Sequence, residues 1–200
     1  MEKRIFDPKH QQLDLSSKIV AGLERVSQAF KVLLWEKAKH LGLSPIQIQI
    51  LIFVAHHRQA YNTVSFLAKE FHVTKPTLSD AIRSLDQKGL IEKDHSNVDQ
   101  RSYSIMLSDL GRKMVLETQD FADPVARAMD RMPMEEREKL FQTLSKLIHQ
   151  LHQNDILTEQ RSCFSCKFYG KHGTVSYCHL LERELKASDI RLDCEEYEAK

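Results

Sequence analysis

Four cysteines are the residues of this chain whose type and spacing point most directly to chemistry. Their spacing is Cys-x2-Cys-x11-Cys-x15-Cys, and they stand at Cys163, Cys166, Cys178 and Cys194. A Cys-x2-Cys pair presents two thiolates to one metal ion from a tight turn, and two further thiolates complete a tetrahedral shell. The pattern predicts a four-cysteine metal site, and Zn²⁺ is the usual ion in such sites.

Other chemistries for these thiols stay open at this point. Four thiolates also suit an iron–sulfur cluster, and the wide separation of Cys178 from Cys194 departs from the two close pairs of many zinc sites. Metal-free redox thiols or a disulfide are a third alternative. His172 and His179 are alternative ligands. The site is expected either to stabilise the fold or to sense metal, redox state or nitric oxide.

The position of the cysteines divides the 200-residue chain, because the first 162 residues contain none. The segment 160–200 has few apolar residues, and chains below about 40 residues usually need a metal or disulfides to fold. We therefore predict a first domain over residues 1–155 and a four-cysteine metal-binding tail over residues 156–200.

Composition and motifs exclude several classes of protein. Hydrophobic residues make up 42% and charged residues 28%, which is typical of a soluble globular chain. The net charge of +1 means that any nucleic-acid binding must come from a local patch. No secretory signal is visible, and the apolar stretch 46–55 is far shorter than the ~20 residues of a membrane span. The common nucleotide-binding and hydrolase motifs are missing. These features predict a cytoplasmic protein that is not an enzyme and has no membrane partner.

Apolar residues at steps of three and four predict a mainly α-helical chain. The predicted helices are Leu13–Leu41, a helix that Ser44 caps and Pro45 begins, Thr63–Phe71, a helix from Thr74 to Gly89, one from Ser108 to Val125 with a kink or restart at Asp123-Pro124, and one from Pro133 to Leu151. Serine and threonine are good N-caps, and glycine commonly ends a helix.

A change of period after Gly89 predicts a β-hairpin. Two short β-like runs, 90–93 and 103–107, flank the polar segment 94–101. Two short helices joined by a turn at 72–74 and followed by such a hairpin form a helix-turn-helix with a wing. The second helix of such a motif fits the major groove of duplex DNA, with its N-terminal residues nearest the base edges. An arginine at the wing tip can enter the minor groove.

The candidate DNA-contacting residues share a polar or exposed position on the second helix or the wing. They are Lys75, Thr77, Ser79, Asp80 and Arg83 on the helix and Arg101 on the wing. Lys75 and Arg83 are expected to contact phosphates rather than bases. Residues 72–101 carry five Lys or Arg and five Asp or Glu. Affinity must therefore rely on where the charges lie and on doubling of the site in a dimer.

Several stretches together carry a resemblance to a known family. They read Leu43-Ser-Pro-Ile-Gln, Val64-Ser-Phe-Leu-Ala-Lys-Glu-Phe, Val73-Thr-Lys-Pro-Thr-Leu-Ser-Asp-Ala-Ile-Arg-Ser-Leu-Asp-Gln-Lys-Gly-Leu-Ile, Asp99-Gln-Arg-Ser-Tyr-Ser-Ile and Leu107-Ser-Asp-Leu-Gly-Arg. In this order and spacing, residues 44–111 resemble the MarR family of winged-helix transcription regulators.

The resemblance covers roughly residues 10–153 and implies a homodimer, formed by the helices 13–41 and 109–152, that binds a pseudo-palindromic operator. It implies that Arg101 is the wing arginine, that Asp99 orients it, and that residues 74–83 face the major groove. The resemblance thereby adds Thr74, Pro76, Asp99 and Ser102 to the candidate DNA-contacting residues. It also implies that a small-molecule effector or a modification acts by changing the distance between the two recognition helices. The expected function is a transcription regulator that represses by occupying a promoter; a metal or redox enzyme and a protein-interaction adaptor are the alternatives.

Overall fold

The computed structural model of this chain describes residues 4–95, 103–158 and 161–200. The helices in these ranges are α1 Pro8–Leu13, α2 Leu15–Leu41, α3 Pro45–His56, α4 Val64–Glu70, α5 Lys75–Gln87, α6 Asp109–Thr118, α7 Asp123–Asp130 and α8 Met134–Gln153. The strands are β1 Ile91–Asp94, β2 Ser104–Leu107, β3 Tyr169–His172, β4 Val175–Cys178 and β5 Arg183–Leu185.

Helix α3 is the centre of the hydrophobic core. It begins with a capping box, in which the Ser44 backbone N–H donates to Gln47 Oε1 at 2.9 Å and the Gln47 N–H donates to Ser44 Oγ at 3.4 Å. Around α3 lie the buried faces of α4, α5, α6 and both wing strands, whose fully buried side chains include Leu67, Leu78, Ile82, Leu85 and Ile105. One core thus fixes the two short helices and the hairpin relative to each other.

Helices α4 and α5 and the β1–β2 hairpin form a winged helix-turn-helix. Thr74 caps α5, as predicted, and Thr63, predicted as the first residue of its helix, is the N-cap of α4. Gly89 follows α5 with φ of 67°, the left-handed conformation that glycine adopts without strain. Strands β1 and β2 are antiparallel, with Ile91 opposite Leu107. The predicted mainly α fold with a small β-hairpin wing is therefore confirmed.

The predicted start of the long helix was wrong, and of the two alternatives left open after Ser108 the restart at Asp123-Pro124 is confirmed. The long helix begins at Leu15, because the Asp14 carboxylate accepts hydrogen bonds from the Ser17 N–H and hydroxyl and so caps it there; Leu13 belongs to α1. The helix after Ser108 ends at Thr118. A 3-10 turn follows, and a new helix restarts at Asp123 with proline in its first turn, which was one of the two predicted alternatives.

Helix α2 projects from the core along most of its length. Of its 27 residues, Ser17 and Ala38 are buried. Near its C-terminal end Lys37 Nζ lies 2.7 Å from Asp120 Oδ1, and this contact holds α2 against the turn before α7. Apolar side chains remain exposed further toward its N-terminus.

No single helix in the ranges that the structure describes is both long enough and apolar enough to cross a membrane. The two successive helices Leu15–Leu41 and Pro45–His56 are together long and apolar enough, but the chain bends by 92° between them.

The tail is a small three-stranded antiparallel sheet in the order β3-β4-β5, followed by a C-terminal loop. Among its described residues the buried apolar side chains are Cys166, Leu185, Ile190 and Tyr197. It packs against α8, where the His149 ring lies 5.2 Å from the Phe164 ring. The tail therefore rests on the rest of the molecule, and its predicted boundary at residues 155 and 156 stays a prediction.

Candidate nucleic-acid interface and thiol cluster

The first turn of α5 is fixed by its cap. The Thr77 N–H donates to Thr74 Oγ1 at 3.3 Å, and the two hydroxyls lie 2.8 Å apart. Below them, the buried stripe of Leu78, Ile82 and Leu85 holds the helix on the core. The N-terminal end of α5 is therefore rigidly placed, which is what direct contact with base edges requires.

The opposite face of α5 presents the predicted DNA-contacting residues. All but one are exposed, namely Thr74, Lys75, Pro76, Thr77, Asp80 and Arg83, while Ser79 is half-buried. Arg83 Nη1 donates to Asp80 Oδ1 at 3.0 Å, and both side chains are about two-thirds exposed. This pair neutralises part of the face, and Arg83 would have to leave the Asp80 carboxylate, or share it, in order to bind another anion.

The base of the wing is held by contacts that sequence reasoning missed. Gln59 Nε2 donates to Asp94 Oδ2 at 2.6 Å and to Ser104 Oγ at 2.9 Å, so one side chain joins both strands. Lys93 Nζ lies 2.5 Å from Asp86 Oδ2 and ties β1 to α5. The wing is thereby oriented relative to α5. The predicted tip residues Asp99, Arg101 and Ser102 lie outside the described residues.

The four cysteines line one small cavity. Cys163 and Cys166 flank a 3-10 turn, Cys178 ends β4 and Cys194 lies in the C-terminal loop; all four border a space of about 30 Å³. Backbone hydrogen bonds hold the loops together, since the Cys163 N–H donates to Arg191 O at 3.1 Å. His172 and His179, the alternative ligands, are not among the residues that line this cavity.

Two sulfur atoms of this cluster contact Arg191, and Cys194 Sγ also donates to Glu196 Oε2 at 3.3 Å. The Arg191 N–H donates to Cys163 Sγ at 3.2 Å, and Arg191 Nη1 lies 3.5 Å from Cys194 Sγ. Burial raises the pKa of both thiols, and the other cysteines raise that of Cys163 further. Within the parts of the chain that the structure describes, no group of three or more His, Cys, Asp or Glu side chains forms a ready metal site.

His179 has a structural role instead. It packs against Gly170, where a Cβ atom would lie 2.5 Å from His179 Nε2. Its ring also lies edge-on to Tyr177, which stacks on His172 at 4.2 Å. The two histidines therefore belong to an aromatic group on the β3–β4 hairpin.

Similarity to a known family lies in the helix-turn-helix part, and similarity to solved structures covers about two-thirds of the chain. Residues 41–102 match the model of the MarR family. The chain is similar to S. aureus MepR in a DNA complex, with 26% identity and a TM-score of 0.55 over 64% of this chain and 94% of that one. It is also similar to S. aureus MepR in the DNA-binding conformation, with 25% identity and a TM-score of 0.58 over 66% and 98%.

A further structure shows the same fold at lower identity. The transcriptional regulator PA3341 has 24% identity and a TM-score of 0.59, over 68% of this chain and 98% of that one. No curated protein matches the chain significantly.

Proposed function

We propose that this chain is a DNA-binding transcriptional regulator of the MarR type, with α5 in the major groove and the wing beside it. The observation that carries the proposal is the placement of α5, whose buried stripe is fixed on the core while its hydroxyl and cationic side chains face outward. The match of residues 41–102 to the MarR family and the similarity to MepR bound to DNA support it. We assign it a cytoplasmic location, repression by occupancy of a promoter, response to a small-molecule effector, and no catalytic role.

The proposal is tested by selecting duplexes from a randomised library and measuring how their affinity depends on salt. Replacement of Arg83 by alanine is expected to weaken binding to all duplexes alike and to lower the salt slope by about 1 per site. Arg101→Ala at the wing is expected to cost about 1–3 kcal/mol.

Arg127→Ala is the control for both variants, because it removes a cation that is 65% exposed on α7, outside the helix-turn-helix. It is expected to leave affinity and slope unchanged. A wild-type protein without salt-sensitive duplex binding contradicts the proposal.

The exposed face of α2 is proposed to be covered by a second copy of this chain. Its apolar residues recur at steps of three or four and are 37–70% exposed: Leu15, Ile19, Leu23, Val26 and Phe30. At 100° per residue these side chains fall on one side of the helix, and a continuous apolar stripe of this length is typical of an interface. A homodimer presents two copies of α5, which suits a pseudo-palindromic operator.

Val26→Glu is expected to convert the dimer to a monomer, because it places a charge inside the apolar stripe. The measurement is sedimentation velocity, in which wild type should run at twice the mass of one chain. Gln28→Glu adds the same charge on the opposite side of α2 and should stay dimeric. A monomeric wild type contradicts the proposed interface.

We also propose that the four thiols bind one Zn²⁺. The donor types support this, because Zn²⁺ accepts four thiolates and all four cysteines line one cavity of about 30 Å³. The sulfur atoms do not already form a metal-binding group among the described residues, so binding would have to draw them together around the ion. The N–H groups of Arg191 near two of the sulfur atoms suit negatively charged thiolates. The ion would be held by Cys163, Cys166, Cys178 and Cys194. Its binding would supply folding free energy to a tail whose hydrophobic core is small.

Protein purified without oxygen is expected to be colourless and to contain about one zinc per chain, because the four thiolates close the shell. Elemental analysis and an absorption spectrum measure this. Cys178→Ser should lose the metal, whereas His179→Ala should keep it, since His179 lies outside the cavity lining. A brown protein indicates the iron–sulfur alternative, and metal-free protein with four free thiols contradicts any metal site.

A further inference from the structure

Arg161 joins the tail to the helix-turn-helix. Its side chain is 7% exposed and its guanidinium lies 5.2–5.9 Å from the centres of three rings, those of Phe53, Tyr61 and Phe66. It donates two hydrogen bonds to Glu70, with Nη1 to Oε2 at 3.1 Å and Nη2 to Oε1 at 3.0 Å. A bidentate, nearly buried pair of this kind fixes both partners in one geometry.

Asp193 completes this contact from the other end of the tail. Arg161 Nε donates to Asp193 Oδ1 at 2.7 Å, and His57 Nε2 lies 2.6 Å from Asp193 Oδ2. His57 in turn stacks on Phe53, with 3.7 Å between the ring centres. Asp193 therefore holds residues from both α3 and the start of the tail.

The neighbour of Asp193 along the chain is Cys194, one of the four cavity cysteines. The Cys194 N–H donates to the Arg161 carbonyl at 3.0 Å, so the backbone of the thiol cluster and the charged contact form one unit. Because Asp193 and Cys194 are adjacent, the carboxylate can keep its position only while the loop that carries the thiol keeps its own.

At its other end, the contact reaches Glu70, which lies close to the start of α5. Glu70 is the last residue of α4, and the turn 71–74 connects it directly to α5, against which α4 packs. A shift of Glu70 therefore moves the end of α4 and the turn that sets the start of α5. A continuous path thus leads from the thiol cavity to the DNA-contacting surface through Cys194, Asp193, Arg161 and Glu70.

We propose that occupation of the cysteine cluster by a thiophilic divalent cation controls duplex affinity through the contact of Asp193 with Arg161 and of Arg161 with Glu70. The inference rests on the proposed function. The tail has four buried apolar side chains among its described residues, so its loops depend on the cluster for their order. Loss of the cation releases the Cys194 loop, and Asp193 leaves Arg161 and His57. Helix α4 then loses a constraint, and α5 is held less firmly for contact with DNA.

The test compares zinc-loaded and chelator-treated full-length protein, using a duplex that the wild type selects from a randomised library. Removal of zinc is expected to weaken duplex binding of the wild type about fivefold or more, which is typical of coupled sites. Asp193→Asn should still bind one zinc, but its zinc-loaded form should bind DNA as weakly as the zinc-free wild type. Glu70→Gln should do the same, with the tail sequence unchanged.

Glu195→Gln is the matched control, because Glu195 follows Cys194 in the sequence, is exposed, and lines the same pocket as Asp193 and Arg161. It should keep the wild-type response to zinc. Amide hydrogen exchange gives a second readout: zinc removal and Asp193→Asn should both speed exchange in Val64–Glu70, whereas Glu195→Gln should not.

The outcomes separate the proposals. If zinc does not bind, or the wild type binds no duplex, the proposed function fails and the coupling falls with it. If both bind and zinc removal leaves wild-type affinity unchanged or increases it, the coupling alone is wrong. If Asp193→Asn and Glu70→Gln respond to zinc as the wild type does, the path through these residues is wrong.

Discussion

Replacement of Arg161 by alanine is expected to lower the free energy of unfolding by about 3–5 kcal/mol, the usual cost of removing one partner from a buried ion pair. Glu70 is 16% exposed, so its carboxylate would remain mostly out of water without its bidentate donor. Asp193 would lose its two hydrogen bonds from Arg161 at the same time. The three aromatic rings around the guanidinium would also be left against an empty space.

Urea unfolding followed by circular dichroism measures this loss. Glu70→Ala in the Arg161→Ala background should cost much less than it does alone, because the carboxylate has already lost its partner. Lys167→Ala is the control, since Lys167 and Glu198 form an ion pair in the tail that is about half exposed. An exposed pair contributes about 0–1 kcal/mol. An equally small effect for Arg161→Ala would show that the contact does not hold the tail in place.

The same contact has a charge state that persists in acid. Burial acts to raise the pKa of Asp193, but hydrogen bonds from His57 and Arg161 lower it to about 2. The folded-state pKa lies below the ordinary value of 3.8. The carboxylate therefore stabilises the fold above that ordinary value and loses this contribution only as the pH falls toward 2. Near neutral pH the contact is ionic, consistent with the large cost expected for its removal.

The helix caps and turns outside the tail were predictable, because they depend on residues that are close together in the sequence. Ser44 and Thr74 occupy N-cap positions that their hydroxyls favour, and Gly89 takes the left-handed conformation that few other residues adopt cheaply. The periodic stripe of α5 also fixes which side faces outward, so the exposure of Lys75, Thr77, Asp80 and Arg83 was predicted correctly. Ser79, also predicted as exposed, is half-buried. The restart at Asp123 was left open, because a proline can kink a helix as well as begin one.

The contacts between the tail and the helix-turn-helix part were not predictable from the sequence. Arg161 pairs with a residue 91 positions away, and His57 contacts Asp193 across 136 positions. No periodicity or spacing encodes such a pair, because both partners are ordinary charged residues in polar stretches. The one signal was Cys194 beside Asp193, which placed the carboxylate near the cavity but named no partner.

Alanine in place of Gly111 is expected to destabilise the fold by about 3 kcal/mol or more, as severe overpacking does. A Cβ atom there would lie 1.9 Å from the Leu90 carbonyl oxygen and 2.9 Å from its carbon. These atoms belong to the backbone just before β1, and that oxygen accepts a hydrogen bond from the Ser108 N–H at 3.2 Å. The backbone of the wing and α6 must therefore separate.

Helix propensity acts in the opposite direction and is too small to decide the outcome. Glycine is about 0.8–1.0 kcal/mol less favourable than alanine within a helix, so a sequence-based argument predicts that Gly111→Ala stabilises α6. Thermal and urea unfolding distinguish the two predictions by sign. Lys113→Ala, an exposed change in the same helix, should stay within about 0.5 kcal/mol of wild type. A Gly111→Ala protein as stable as wild type would mean that α6 and the wing are not in such close contact.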